Sequence, residues 1–491
     1  MTTTAISIKD FSFTYTGAKH PALTNINLDV APGEFIILAG ESGCGKSTLL
    51  RCLNGIIPHL LPGKTEGNIK LFGEDFSEMT PESISKIAGS VFQNPRSQFF
   101  HINVTDEIAF GPESLELSKE EIVQRVDEAF DLFAINHLRD RKMYELSSGE
   151  QQKVSFAAIH ATGSDVFFLD EPSANLDFQA IENLKRILEI LKNKGKTIIV
   201  AEHRIYYLSD LFDRMTIVEN GEIITTLSRN AKITNTLMQK HGLRALDLRS
   251  FIQNSDKLPY ESGKKNGCTN LTAQNLSFSY RRKKKKVLED ISLDLVQGEK
   301  IAVIGPNGSG KTTLTKLIAG LLKPSNGTFS DGSKKKLSTR QRLQDCGLVL
   351  QENSHQLFYS TVLEELNSAV AKADEDFSIQ FLEDLGLEKL KDAHPQNLSA
   401  GQQQRLVFAI AAINSPRILI LDEPTSGLDA YSMKAMGKKI NEESQKGSTV
   451  IIVTHDFEFV SSYCDAAVLL KDGHMLQRID RSDFKSALPL S

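Results

Sequence analysis

The chain carries one glycine-rich loop twice, with Lys46 and Lys311 265 residues apart: GESGCGKST from Gly40 to Thr48 and GPNGSGKTT from Gly305 to Thr313. Both fit G-x-x-x-x-G-K-S/T, and each follows a short apolar run of strand type, EFIILA and EKIAVI. Strand, glycine loop and helix start, in that order, make a phosphate cradle. The glycines let backbone N–H groups converge on phosphate oxygens, the lysine adds a point charge, and the Ser/Thr hydroxyl reaches Mg²⁺. The candidate nucleotide-binding residues are therefore Gly40, Glu41, Ser42, Gly43, Cys44, Gly45, Lys46, Ser47 and Thr48, with Gly305, Pro306, Asn307, Gly308, Ser309, Gly310, Lys311, Thr312 and Thr313. Cys44 lies inside the loop and is given no chemistry of its own. One such match can arise by chance; two, each followed by the same train of motifs, mark a tandem nucleotide-hydrolysing chain.

The spacing of later landmarks shows how the repeat is built. Tyr15 and Tyr280 are also 265 apart, Gln93 and Gln351 are 258 apart, and Gly149/Gly401, Asp170/Asp422, Asp177/Asp429 and His203/His455 are all 252 apart. The offset falls by 7 and then by 6, and is constant elsewhere. Length changes thus fall between the phosphate loop and Gly149, where a helical insertion with freer loops is expected. Apolar strand-like runs (VFFL, TIIVA, ILIL, TVIIVT) alternate with helical stretches, the pattern of an α/β core. Residues 119–134 place Ile122, Val126, Phe130 and Phe133 on one helical face, and Ser118 with Glu121 forms a capping box for that helix. The stretch TNTLMQKHGLRALDL suits a helix closing the first domain. Domains are expected over residues 1–249 and 271–491, joined by a linker over 250–270.

Composition narrows the function classes. The chain has 491 residues, enough for two full cores, with a net charge of −5 and a pI near 6.2, against a dedicated nucleic-acid binder. No run of apolar residues is long enough for a transmembrane helix, and MTTTAISIKDFSF does not read as a secretory signal. The five cysteines form no C-x-x-C pair, so reduced thiols are expected, without a zinc or iron–sulfur site. The runs RRKKKK (Arg281–Lys286) and KKK (334–336) invite a nucleic-acid or anionic-lipid reading. The first sits between two strand-like runs, and a solvated hairpin is the simpler expectation for both.

After the phosphate loop the first half continues with Gln93, LSSGEQQK, VFFLDEP, SANLD and AEH ending at His203. The second continues with Gln351, LSAGQQQR, ILILDEP, SGLD and VTH ending at His455. Over nearly its whole length the chain resembles the ATP-binding-cassette (ABC) ATPases, and the LSxGxQQ element is the most specific feature. The resemblance implies two tandem P-loop ATPase domains, each with an α/β core, an antiparallel β subdomain and a helical subdomain. It implies ATP and Mg²⁺ as cofactors. Asp170 and Asp422 would hold Mg²⁺ with Ser47, Thr312, Gln93 and Gln351. Glu171 and Glu423 would orient or deprotonate the attacking water, and His203 and His455 would contact the γ-phosphate. Tyr15 and Tyr280, each 31 residues before its lysine, would stack on adenine; an aromatic there can also pack into a core, and one residue can serve both roles. Ser147, Gly149, Ser399 and Gly401 would bind the nucleotide held by the opposite half, so that the two halves close head to tail as an internal pseudo-dimer. Both sites look competent, since Glu171, Glu423 and both signatures are intact.

The segments VFQNPRSQFFHINVTDEIAFGPE and VLQENSHQLFYSTVLEEL resemble the Q-loop regions of ATPases from energy-coupling factor (ECF) transporters. That resemblance implies docking of integral membrane partners, a transmembrane T-component and a substrate-binding S-component, through Gln98, Phe99, Phe100, Gln356, Leu357 and Phe358. These residues could instead simply pack the helical insertion. The second copy lacks the proline and has Asn353–Ser354 there. The fused layout resembles duplicated ECF subunits such as those of HMP/thiamine-type permeases, which implies a peripheral protein on the cytoplasmic face of a bacterial-type membrane. Two alternatives stand beside it. Tandem ABC proteins acting on ribosomes usually have a long charged linker. Fused sugar-importer ATPases commonly carry a damaged second phosphate loop, whereas GPNGSGKTT is intact.

Overall fold

The computed structural model describes residues 4–92, 98–174, 176–231, 233–255, 260–261, 267–280, 286–351, 356–370 and 375–488. Gln93, Arg281–Lys285 and Asn353–Ser354 lie outside the described residues. The chain forms two compact units, Met1–Asp247 with Asp429–Tyr431, and Leu248–Leu428 with Ser432–Ser491.

The first unit contains strands β1 (Ile6–Tyr15), β2 (Leu23–Val30), β3 (Phe35–Ala39), β4 (Gly63–Leu71), β5 (Glu74–Asp75), β6 (Ala88–Val91), β7 (Val166–Asp170), β8 (Thr197–Ala201), β9 (Arg214–Glu219) and β10 (Glu222–Ser228). Six of them form a central sheet in the order β10-β9-β3-β8-β7-β6, parallel except for β10. Every residue of β3 is buried, as expected for a parallel strand covered on both faces. Phe35, Ile37 and Ala39 face one core, while Ile36 and Leu38 face the other. The first core is capped by the helical subdomain, with helices Val104–Ser114, Lys119–Leu132 and Ser148–Ala161. The second lies under the antiparallel sheet β2-β1-β4-β5.

The second unit repeats the plan with β11 (Thr269–Phe278), β12 (Leu288–Val296), β13 (Lys300–Ile304), β14 (Asn326–Ser330), β15 (Cys346–Val349), β16 (Ile418–Asp422), β17 (Thr449–Val453), β18 (Ala466–Lys471) and β19 (His474–Asp480). Its central sheet runs β19-β18-β13-β17-β16-β15, the same topology strand for strand, and its antiparallel sheet is β12-β11-β14. The expected fold class is the observed one.

The expected helix over 119–134 forms as Lys119–Leu132, with both halves of the Ser118–Glu121 capping box made and Val126 and Phe130 buried. The length changes are divided differently from the expectation. Ser12 pairs with Glu66 and Ser277 with Asn326, so five of the seven residues lost first precede β14, outside the helical insertion. In the first unit the segment Ile56–His59, kinked at Ile57 with φ −105° and ψ 130°, occupies this stretch. The later loss falls in the helical subdomain, where helices of 11 and 14 residues in the first unit stand against 8 and, among the described residues, 10 in the second. Part of the stretch expected as linker belongs to the second unit. The helix Leu248–Gln253 packs on the helices Phe457–Tyr463 and Phe484–Ala487, and the Arg481 guanidinium lies 3.7 Å from the centre of the Tyr260 ring. KKK (334–336) follows the expectation of a solvated turn, with Lys335 N–H bonded to Asp331. Lys286, at the far end of the basic run, pairs with Glu289.

Candidate functional site

Each phosphate loop leaves the buried C-terminal end of a central strand, β3 or β13, and enters a helix, Lys46–Leu53 or Lys311–Ile318. Side chains are excluded where the loop must curl. A Cβ on Gly40 or Gly305 would overlap the carbonyl oxygen of Val218 or Leu470 on the neighbouring strand. Gly45 and Gly310, the residues that start the two helices, have φ of 111° and 103°, a region that L side chains avoid. The loop then wraps its own lysine. Lys46 Nζ donates to the carbonyls of Gly40 (2.9 Å) and Glu41 (2.8 Å), and Lys311 Nζ to those of Gly305 (2.7 Å) and Pro306 (3.0 Å).

The next residue reaches the adjacent strand. Ser47 Oγ donates to Asp170 Oδ1 at 2.8 Å, and Thr312 Oγ1 to Asp422 Oδ2 at 3.0 Å. Burial pushes both aspartate carboxyls up, against the opposing pull of these hydrogen bonds. A carboxylate beside a hydroxyl is a hard-oxygen donor set of the kind Mg²⁺ takes, so the residues present fit that ion.

Glu171 and Glu423 follow the aspartates directly, and both adopt left-handed backbone, with φ of 46° and 53°. Strain of this kind collects at functional positions. The parallel register holds it in place: Asp170 lies opposite Ala201, and Glu171 N–H donates to the Ala201 carbonyl at 2.8 Å. In the second unit Asp422 lies opposite Val453, and Glu423 N–H donates to its carbonyl at 2.8 Å. Chain exits from neighbouring strands therefore bring His203 Nε2 within 3.3 Å of Glu171 Oε1, and His455 Nε2 within 3.5 Å of Glu423 Oε1. Each half thus gathers lysine, hydroxyl, aspartate, glutamate and histidine at one sheet edge. That set can bind a polyphosphate, hold a cation and take a proton from water.

Tyr15 ends β1, and its hydroxyl lies 3.1 Å from Thr48 Oγ1; the Tyr280 hydroxyl lies 3.4 Å from Thr313 Oγ1. Both rings meet a core phenylalanine edge-on, Phe13 at 4.7 Å and Phe278 at 4.9 Å, so they border the cradle and the core at once. Ser147 and Ser399 are exposed N-caps of the helices Ser148–Ala161 and Ala400–Ala412, each in a capping box with the third helical residue, Glu150 or Gln402. Gly149 and Gly401 sit in the first turn of those helices, where free N–H groups favour an anion. Gln351 is exposed just past β15, which pairs with the strand carrying Asp422.

The residues expected to dock a partner divide sharply. Phe100 and Phe358, 258 positions apart, are 73% and 81% exposed. Leu357 is buried, and Phe99 packs partly against the first core. Gln98 and Gln356 spend their amide oxygens on loop backbone, accepting the N–H of Phe92 (3.1 Å) and Leu350 (2.7 Å). Of these six residues only the two phenylalanines are exposed; the other four are buried or half-buried.

Sequence reasoning missed what anchors these loops. Glu107, buried on the helix Val104–Ser114, accepts the N–H groups of Phe100 (2.9 Å) and His101 (2.7 Å). Glu365, also buried, accepts those of Phe358 and of Tyr359 (2.6 Å). Glu107 and Glu365 are 258 apart, the same offset as Gln93 and Gln351, which was the available signal. The last Gln of each signature was also missed: Gln152 and Gln404 donate to the carbonyls of Pro172 and Pro424, next to the catalytic-type glutamates.

The ABC transporter family signature matches residues 23–174 and 288–426. An ABC transporter ATP-binding protein of Treponema denticola, provisionally so named, is 40% identical over 477 residues, covering 96% of both chains. YkoD of Bacillus subtilis, named provisionally for HMP/thiamine import, is 32% identical over 95% of this chain and 90% of its own. Among solved structures, an archaeal ribosome recycling factor, aABCE1, superposes with a TM-score of 0.63 at 22% identity, covering 96% of this chain and 90% of that one.

Proposed function

From the premise that this chain belongs to the ABC transporter family and is an ATPase, we propose that it powers a membrane importer of the energy-coupling factor type, for a vitamin, vitamin precursor or metal. The observation that carries the proposal is the pair of exposed phenylalanines, Phe100 and Phe358, presented at equivalent positions on loops anchored by buried carboxylates. An exposed aromatic on a fixed backbone is a typical anchor for a partner. The name of YkoD supports the direction and solute class.

Chemistry at each half falls to its own residues. Ser47 with Asp170, and Thr312 with Asp422, would hold Mg²⁺, which offsets the phosphate charge when bound. Glu171 and Glu423 take up the attacking water, and His203 and His455 hold those glutamates and meet the γ-phosphate. Gln93 and Gln351 attend the cation, and Tyr15 and Tyr280 attend the base. The signature of each half, Ser147–Gly149 or Ser399–Gly401, completes the site of the other, so ATP draws the halves together and hydrolysis releases them. Hydrophobic membrane components follow that motion through the phenylalanine loops, with this chain peripheral at the cytoplasmic face.

The test is co-purification of the detergent-extracted chain. Small integral membrane proteins should accompany it, and Phe100→Ala with Phe358→Ala should release them while ATP affinity stays within about twofold. Equal loss of partner and ATP would assign the phenylalanines to packing. Sedimentation with ribosomes and no membrane partner would overturn the transport reading; the likeness to the recycling factor is one of fold.

A further inference from the structure

Glu202, the residue before His203, is 3% exposed and accepts four hydrogen bonds. Its Oε1 takes the backbone N–H groups of His203 (2.7 Å) and Arg204 (3.1 Å), and its Oε2 takes the N–H of Ser173 (3.1 Å) and the hydroxyl of Tyr207 (2.9 Å). Among the described residues it forms no ion pair. A buried carboxylate without a cation needs dipoles aimed at both oxygens, and these four supply them. Burial, and then the Glu202 charge, push the Tyr207 phenol far up, so it stays a donor.

The donors are well placed. Ser173 lies two residues past Glu171, and His203 faces Glu171 at 3.3 Å. One carboxylate therefore ties together the two strand exits that carry the Glu171–His203 pair. The second half lacks it. At the positions 252 residues on from Glu202, Ser173 and Tyr207 stand Thr454, Thr425 and Phe459. Thr454 Oγ1 accepts a single N–H, that of Asp456 at 3.1 Å. The buried Thr425 hydroxyl has no hydrogen-bond partner among the described residues, and Phe459 has no hydroxyl to donate.

We propose that Glu202 is a positioning residue of the first ATP site: it fixes the backbone on both sides of the Glu171–His203 pair, whereas the second half carries Thr454 at its position. The proposal rests on reading each half as an ATP site. Reacting groups misplaced by about an ångström lose large factors in rate, so the first site is the one whose turnover is sensitive to this buried network.

The experiment measures steady-state hydrolysis, equilibrium ATP binding and thermal unfolding on full-length chains. Glu202→Gln turns an amide N–H₂ toward the Ser173 N–H, donor against donor. Because the two halves turn over in concert, its kcat should fall roughly fivefold while ATP affinity holds within about twofold; Thr454→Val should leave kcat at the parent value. Tyr207→Phe, which removes one donor and keeps the volume, should lower kcat by about twofold and covers the case in which Glu202→Gln fails to fold. An unchanged kcat in the Glu202 variant, or in Tyr207→Phe should the former not fold, overturns the proposal. Parallel loss of kcat, affinity and melting temperature assigns Glu202 to packing and also overturns it, and an equal kcat loss in Thr454→Val removes the asymmetry. A parent chain that neither binds nor hydrolyses ATP would instead refute the ATPase reading beneath it.

Discussion

The two halves place equivalent groups where the chemistry lies and diverge one residue away. Lys46 and Lys311 curl into the same carbonyls, Ser47 and Thr312 reach the same aspartates, and Glu171 and Glu423 share the same strained backbone. Beside them, Thr454 stands at the position equivalent to Glu202 and Gln402 at that of Glu150, and the helical subdomain loses residues in the second half. The difference teaches that phosphate geometry constrains the cradle, while the groups supporting it have several solutions. With a carboxylate and four donors in one half and a threonine accepting one N–H in the other, the histidine lies within 3.5 Å of its glutamate in both.

The strongest way to break the comparison is to remove the glutamates. Glu171→Gln with Glu423→Gln should lower steady-state hydrolysis by about 10² to 10⁴, the usual reach of a positioned base. Each single variant should keep at most half of the parent rate if the halves act in concert. A single variant that keeps the parent rate, beside another as dead as the pair, would show one site to be silent.

The loop anchors come next. Glu107→Ala and Glu365→Ala each leave two N–H groups without their buried acceptor, and each should cost about 2 kcal/mol in denaturant unfolding. Both should weaken membrane-partner retention, since both loops lose their hold. A loss confined to one would say that only one loop docks.

Ser147→Ala and Ser399→Ala remove equivalent helix caps, about 1 kcal/mol each by thermal unfolding. The loss should be similar in the two halves although their boxes differ, Glu150 in one and Gln402 in the other. At the small end, Lys286→Ala breaks an exposed pair with Glu289 and should move stability by less than about 0.5 kcal/mol. A larger change there would mean that the basic run does more than solvate a hairpin.

Much of this was legible in the chain. The phosphate loops, the aspartate–glutamate pairs and the histidines were fixed by spacing because each sits at a strand end, where the register is set by buried apolar neighbours. The Ser118 capping box was legible because its partner is three residues away. What stayed hidden were contacts between segments distant in sequence. Nothing local in AEHR says that Glu202 bonds Ser173, 29 residues earlier, and nothing in VTDEIAF says that Glu107 turns inward to hold Phe100. The resemblance implies docking through all six of Gln98, Phe99, Phe100, Gln356, Leu357 and Phe358, and residue type alone does not say that Phe100 and Phe358 are the exposed ones. The stretch 250–270 lacked periodicity, yet Tyr260 and the helix Leu248–Gln253 find partners on the far end of the chain.

The central claim is that one chain contains two working ATP sites. Radiolabelled ATP retained by the Glu171→Gln, Glu423→Gln chain with Mg²⁺, after rapid gel filtration, tests it most directly. Two ATP per chain are predicted, falling to none when Lys46→Ala and Lys311→Ala are added. Retention of a single ATP per chain, or retention that survives loss of both lysines, would contradict it.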